Sequence, residues 1–173
     1  MPRIKRHWVA GAVLAALVVA AGSVLAVNAA SDNGELAKLK GAVAKYHNLE
    51  AAEAAGWVLV PGLDHCFENP GVGGMGVHYI DATRLDTTVD DLRPEALVYQ
   101  HLPNGELHLG AVEYIVPKAA WDTEGHPGLP MALGRHMHLN EALGVYVLHA
   151  WLFTKNPAGT FEDWNPDVTC PIE

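Results

Sequence analysis

Residues 95–116 read EALVYQHLPNGELHLGAVEYIV. Two runs rich in β-branched and aromatic residues flank Asn104-Gly105, a dipeptide that tolerates the positive φ angles of a tight hairpin turn. A two-residue loop there pairs Leu102 with Leu107, His101 with His108, Leu97 with Val112 and Ala96 with Glu113, and sets His101 and His108 on one face. Glu113 is the one charge in the run from 107 to 116. A carboxylate among apolar neighbours needs a partner, because burying it alone is costly.

The flanking segments extend the pattern. Upstream, Gly76-Val-His-Tyr-Ile80 and Trp57-Val-Leu-Val60 read as strands, separated by a Gly-rich loop. Residues 81–94 are polar and acidic and read as a loop. Downstream, residues 117–143 carry Pro117, Pro127 and Pro130, which predicts an irregular excursion with a helical turn near 119–121. Residues 145–153 then read as a strand whose two faces are both apolar. Before all of these, Leu36, Leu39, Val43 and Tyr46 recur at helical intervals, with Asp32 and Glu35 at capping-box spacing, so an amphipathic helix is expected over about 35–55. The composite is an α+β domain: one N-terminal amphipathic helix plus a mainly antiparallel sheet curled into a small barrel or sandwich.

The N-terminus changes which residues count. Arg3, Lys5 and Arg6 precede an apolar stretch from Trp8 to Val27 that ends in small-residue patterns of the kind signal peptidases cut. Residues 1–30 are therefore read as a secretory signal peptide and 31–173 as a single globular domain. The alternative is an uncleaved anchor. Residues 1–30 hold three of the 11 basic and none of the 20 acidic residues, which leaves eight basic against 20 acidic, a formal charge of −12. Such a surface repels phosphate backbones and anionic lipid, so neither nucleic acid nor, once the signal is cleaved, a membrane is an expected partner. Oligomeric state has no signature. Cys66 and Cys170 are the two cysteines, and in an exported chain a lone pair is expected to form one disulfide.

The histidines carry the functional argument. In GRHMHLNEALGVYVLHAWLF, residues 134–153, His149 sits inside the apolar strand, where alternation places it with Val145, Val147 and Trp151. A buried imidazole needs a partner for each ring nitrogen. It can be a core histidine satisfied by carbonyls. Other imidazoles and a carboxylate on neighbouring strands point instead to a mononuclear metal site, because strands hold ligands rigidly and imidazole suits Zn, Cu and Fe. The expected ligands are His78, Glu113, His138 and His149, with His136 or His108 as a proton-transfer group. Regular alternation sends His108 and Glu113 to opposite faces unless Gly110 marks a bulge.

Competing motifs fail. Gly71-Val-Gly-Gly-Met-Gly76 matches a dinucleotide-binding spacing but enters a strand, where that motif needs a helix. Ser23 and Ser31 are the only serines, which leaves no serine triad, and no H-E-x-x-H occurs. The acidic loop 81–91 lacks EF-hand spacing. His136-x-His138 with Glu141 is similar to the first cupin motif over about six residues, a likeness of geometry that assigns no family. Two functions follow. One is a secreted mononuclear transition-metal protein, an enzyme if the metal activates water or oxygen. The other is a non-enzymatic extracellular module whose barrel interior, lined by Trp57, Tyr79, Tyr99, Tyr114 and Trp151, holds a small molecule.

Overall fold

A computed structural model describes residues 33–171, so the expected signal segment 1–30 lies outside the described residues. The unit Glu35–Glu173 is built on one seven-stranded sheet. Its strands are β1 (Val58–Leu59), β2 (Phe67–Asn69), β3 (Gly73–Ile80), β4 (Ala96–His101), β5 (Leu107–Pro117), β8 (His138–Asn140) and β9 (Val145–Trp151). The order is β1-β3-β4-β5-β9-β8, with β2 also pairing with β3, and every pairing is antiparallel. β6 (Met131–Ala132) and β7 (Arg135–His136) form a separate two-stranded hairpin. The sheet is not closed, so the expected barrel or sandwich is corrected to an open sheet. Helices cover one of its faces, so that face is buried without curling the sheet on itself.

The N-terminal helix is broken where the sequence suggested continuity. Helix α1 covers 33–43, a 3-10 turn follows at Ala44–His47, and α2 spans Leu49–Ala54. Asn48 between them is extended, and its side chain accepts a hydrogen bond from the Ala51 N–H. Asparagine caps a new helix by this contact, so it restarts the helix in a new direction instead of continuing the old one. Leu39, Val43, Tyr46 and Ala52 pack on Val77, Tyr79, Leu97, Tyr99, Val112 and Tyr114 as the main core. The Tyr99 hydroxyl donates to the Tyr46 carbonyl and that of Tyr114 to the Asp91 carbonyl, 2.5 and 2.6 Å away. Trp57, Tyr79, Tyr99 and Tyr114 are thus packed core and line no ligand space, while Trp151 lies in a separate cluster with Val98, Ala111 and Val168.

The β4–β5 hairpin departs from expectation in two places that cancel. The Gly105 N–H donates to the Leu102 carbonyl and the Leu102 N–H to Glu106, with Gly105 at φ 84°. Pro103 locks its φ negative, so the turn centres on Pro103-Asn104 with Gly105 in the left-handed region, a three-residue loop. His101 therefore pairs with Leu107 and Gln100 with His108, and the expected His101–His108 pair does not form. The register then slips back by one at a bulge beside Gly110, between the pairs Tyr99–Leu109 and Val98–Ala111. Beyond it Leu97 faces Val112 and Ala96 faces Glu113, as expected.

The second face is covered by the tail. Cys66 and Cys170 form a disulfide across 104 positions. The Gly74 N–H donates to the carbonyls of Asn165 and Val168. A Cβ at Gly73 would lie 2.2 Å from the Asn165 carbonyl oxygen, so the Gly-rich run is a close backbone contact that seats the tail. Residues 117–143 are less irregular than expected: α3 runs Lys118–Glu124 and ends at Gly125 in the left-handed region.

Candidate metal centre

Three strands bring His78, Glu113 and His149 together on the tail-covered face. Glu113 on β5 stands directly opposite His149 on β9, so their side chains share a face by register alone. His78 lies two strands from Glu113, with β4 between them. Adjacent strands are about 4.8 Å apart, so the two must lean across roughly 10 Å. The intervening positions facing Glu113 and His78 are Ala96 and Val98, and their short side chains leave the path open.

One ligand atom from each of the three residues lies within 4.8 Å of the others, and all three residues are buried. The Nε2 atoms of His78 and His149 are 3.3 Å apart. His78 Nε2 is 3.4 Å from Glu113 Oε2, and His149 Nδ1 is 3.6 Å from Glu113 Oε1. Two donors held at about 2.0–2.1 Å from one tetrahedral ion stand about 3.3–3.4 Å from each other, so the His78–His149 and His78–Glu113 spacings suit a shared ion.

Asp163, from the tail, completes the arrangement. Its Oδ1 lies 3.4 Å from His149 Nδ1, and its Oδ2 is 2.9 Å from His138 Nε2. The Asn156 side chain holds this segment by donating to the carbonyls of Glu162 and Trp164, on either side of Asp163. Among the described residues, four buried side-chain polar atoms lack an aligned hydrogen-bond partner, and three of them, His78 Nδ1, His149 Nδ1 and Asp163 Oδ1, are here. Buried polar atoms are rarely left without a partner, so three in one group call for an explanation, and a bound ion is one.

The charges diverge. Burial, aided by the nearby His149, pushes His78 down to about 3, so its imidazole is neutral. Burial also opposes a charge on His149, but Glu113 and Asp163 outweigh it and hold its pKa above the ordinary imidazole range. Burial raises the Glu113 carboxyl. For Asp163 burial works upward too, yet the imidazoles of His149 and His138 leave it below the usual carboxylate range. The two facing imidazoles are thus shifted in opposite directions, His78 by burial and His149 by the carboxyl groups of Glu113 and Asp163.

Of the six expected site residues, the structure brings His78, Glu113 and His149 together. His138 is half-exposed and stands outside the group, joined to it through Asp163. His136 is exposed on β7 and lines a surface groove with His138 and Asp163. His108 lies beside His47, their rings tilted with centroids 5.1 Å apart, away from the group. Asp163 was not legible: it sits in a turn-rich tail with no periodicity, and only tertiary contacts aim it at His149. No family model, curated protein or solved structure matches this chain.

Proposed function

We propose that this is a mononuclear transition-metal protein with His78 Nε2, His149 Nε2 and the Glu113 carboxylate as ligands. The observation that carries the reading is the 3.3 Å approach of two buried Nε2 atoms beside a buried carboxylate. Two imidazoles and one carboxylate are the donors of catalytic zinc sites and of non-haem iron(II) centres, both of which keep positions open for water, oxygen or substrate. Copper accepts the same nitrogens. A metal so held activates bound water or oxygen. Asp163, facing His149 Nδ1, orients that ring and makes it a better donor, as carboxylates behind metal-bound histidines do. The disulfide fits an oxidising compartment, and we place the mature protein outside the cytoplasm. Among the described residues no helix is long and apolar enough to cross a membrane.

A second reading has its own support. The raised pKa of His149 and lowered pKa of His78 suit a single proton shared between the rings, which would make the group a structural hydrogen-bond network. Elemental analysis after dialysis without chelator separates the two. About one equivalent of Zn, Cu or Fe in the wild type, falling severalfold in His149→Ala, supports the metal centre. A chelator-treated protein that rebinds none of these ions at micromolar concentration, or binds them equally without His149, leaves the structural network. Export is tested separately: protein recovered from the host's medium should lack its first 26–30 residues by intact mass.

A further inference from the structure

Beside the His78–Glu113 pair is a cavity of about 270 Å³. Leu63, Phe67, Ile115, Val147 and Trp164 are among its walls, and β9, β5 and the tail each contribute. Among the described residues its polar side chains are His78, Glu113 and Asp163 of the group just described and Asn140. Among the described residues no Lys or Arg lines it. The cavity is on the opposite side of the sheet from the helix-covered aromatic core, so it owes nothing to the ring-lined interior expected from the sequence.

We infer that this cavity binds a compact, uncharged, mostly apolar molecule with one polar end directed at His78 and Glu113. The inference names the ligand class of the proposed metal centre and rests on that reading for what the polar end meets. Size follows from volume: an apolar cavity of about 150 Å³ accepts benzene, so roughly ten non-hydrogen atoms fit here by proportion, a small two-ring or branched aliphatic molecule. Charge follows from the walls. An anion would lose its hydration among apolar side chains and meet Glu113 and Asp163 with no cationic side chain to pair with. A hydroxyl or carbonyl finds its partners at His78 and Glu113, because Asn140, set further along the strand opposite Val145, already accepts from the Leu143 N–H, so the apolar body lies against Leu63, Ile115 and Val147. Apolar surfaces with a few convergent polar groups are the usual composition of small-molecule sites.

The probes are 2-naphthol and 2-naphthoate, which share the two-ring apolar body and differ in the charge of the polar group, titrated calorimetrically into the full chain after chelator treatment and again after loading with Zn²⁺. Naphthol should bind both forms, with a negative heat-capacity change, and naphthoate at least tenfold more weakly to the metal-free form. Val145→Phe should fill the cavity and weaken naphthol binding at least tenfold while Zn²⁺ uptake stays at the wild-type level. Leu143→Trp, at the exposed mouth of the cavity, serves the same purpose if the first variant does not fold. Zn²⁺ uptake without naphthol binding overturns the cavity assignment alone. Naphthol binding without Zn²⁺ uptake supports the cavity and overturns the metal centre alone. Equal affinity for the two probes in the metal-free form, or undiminished naphthol binding in both cavity variants, overturns the inference.

Discussion

His78 and His149, 71 positions apart in the chain, face each other through their Nε2 atoms at 3.3 Å. Two neutral rings cannot share that approach with lone pairs opposed, so a proton or a cation must stand between them. A hydrogen bond from the Nε2–H of one ring to the other fills that gap, and a divalent ion in its place satisfies the same geometry.

Asp163 should matter through His149. Asp163→Asn keeps size and shape but removes the charge facing Nδ1, and loss of such a supporting carboxylate lowers metal affinity about 10- to 100-fold. Competition with a chromophoric chelator measures this. His138→Ala should cost less, because His138 reaches the group only through Asp163. Wild-type affinity in Asp163→Asn would contradict the orienting role.

Ala96 is the spacer under the site. Its partner across β4–β5 is Glu113, and it is fully buried. Ala96→Leu inserts a branched side chain where His78 and Glu113 lean together. Overpacking should cost about 1–3 kcal/mol in urea unfolding and reduce Zn²⁺ affinity at least tenfold. A destabilised variant with unchanged affinity would show that the path over β4 is wider than its neighbours suggest.

Glu95 supplies a pH dependence independent of the metal. Burial pushes its carboxyl up to about 7, and it accepts a hydrogen bond from the Ile115 N–H. The folded chain keeps this proton to about pH 7, whereas the unfolded chain releases it near 4.5. Between these values the folded state binds more protons, so stability falls as pH rises through the window, by up to about 3 kcal/mol. Glu95→Gln retains the accepting carbonyl and removes the titration. The loss of stability from pH 4.5 to 8 in chemical unfolding should therefore be smaller in the variant. Parallel curves for the two proteins would refute the assignment.

The disulfide closes a loop of about a hundred residues, worth about 4–5 kcal/mol in the chain-entropy model. It also anchors the tail that carries Asp163. Cys66→Ser should lower the melting temperature by well over 10 °C for a domain of this size, and weaken metal binding as Asp163 loses its fixed position. A variant melting within a few degrees of the wild type would mean that the Gly74 contacts to Asn165 and Val168 hold the tail unaided.

Much of the sheet was legible in the chain. The alternation of residues 145–151 sets His149 with Val147 and Trp151, the faces observed, and the lone pair of cysteines announced the bridge. The Ala96–Glu113 pairing follows from the hairpin signal only because Pro103 and Gly110 each shift the register by one residue in compensating directions. Pro103 carries the first shift in the sequence itself, since a two-residue loop needs residue 103 to donate its N–H to Glu106 and proline has none. The break at Asn48 was also available as a capping residue ahead of Leu-Glu-Ala-Ala.

What the sequence determined by itself is which residues share a face: period-two alternation and β propensity are local, so strands, faces and the antiparallel hairpin follow from neighbours along the chain. Tertiary structure alone decided which strands adjoin and what covers them. β9 crosses the 117–143 excursion to lie against β5, which sets His149 opposite Glu113, and β3 lies on the far side of β4, which selects His78. His138 falls at the sheet edge for the same reason, and Asp163 takes its place because the tail is seated by Gly73, Gly74 and the Cys66–Cys170 bridge. These are non-local contacts, whose energies depend on packing between segments distant in the chain, and no pattern within a single segment encodes them.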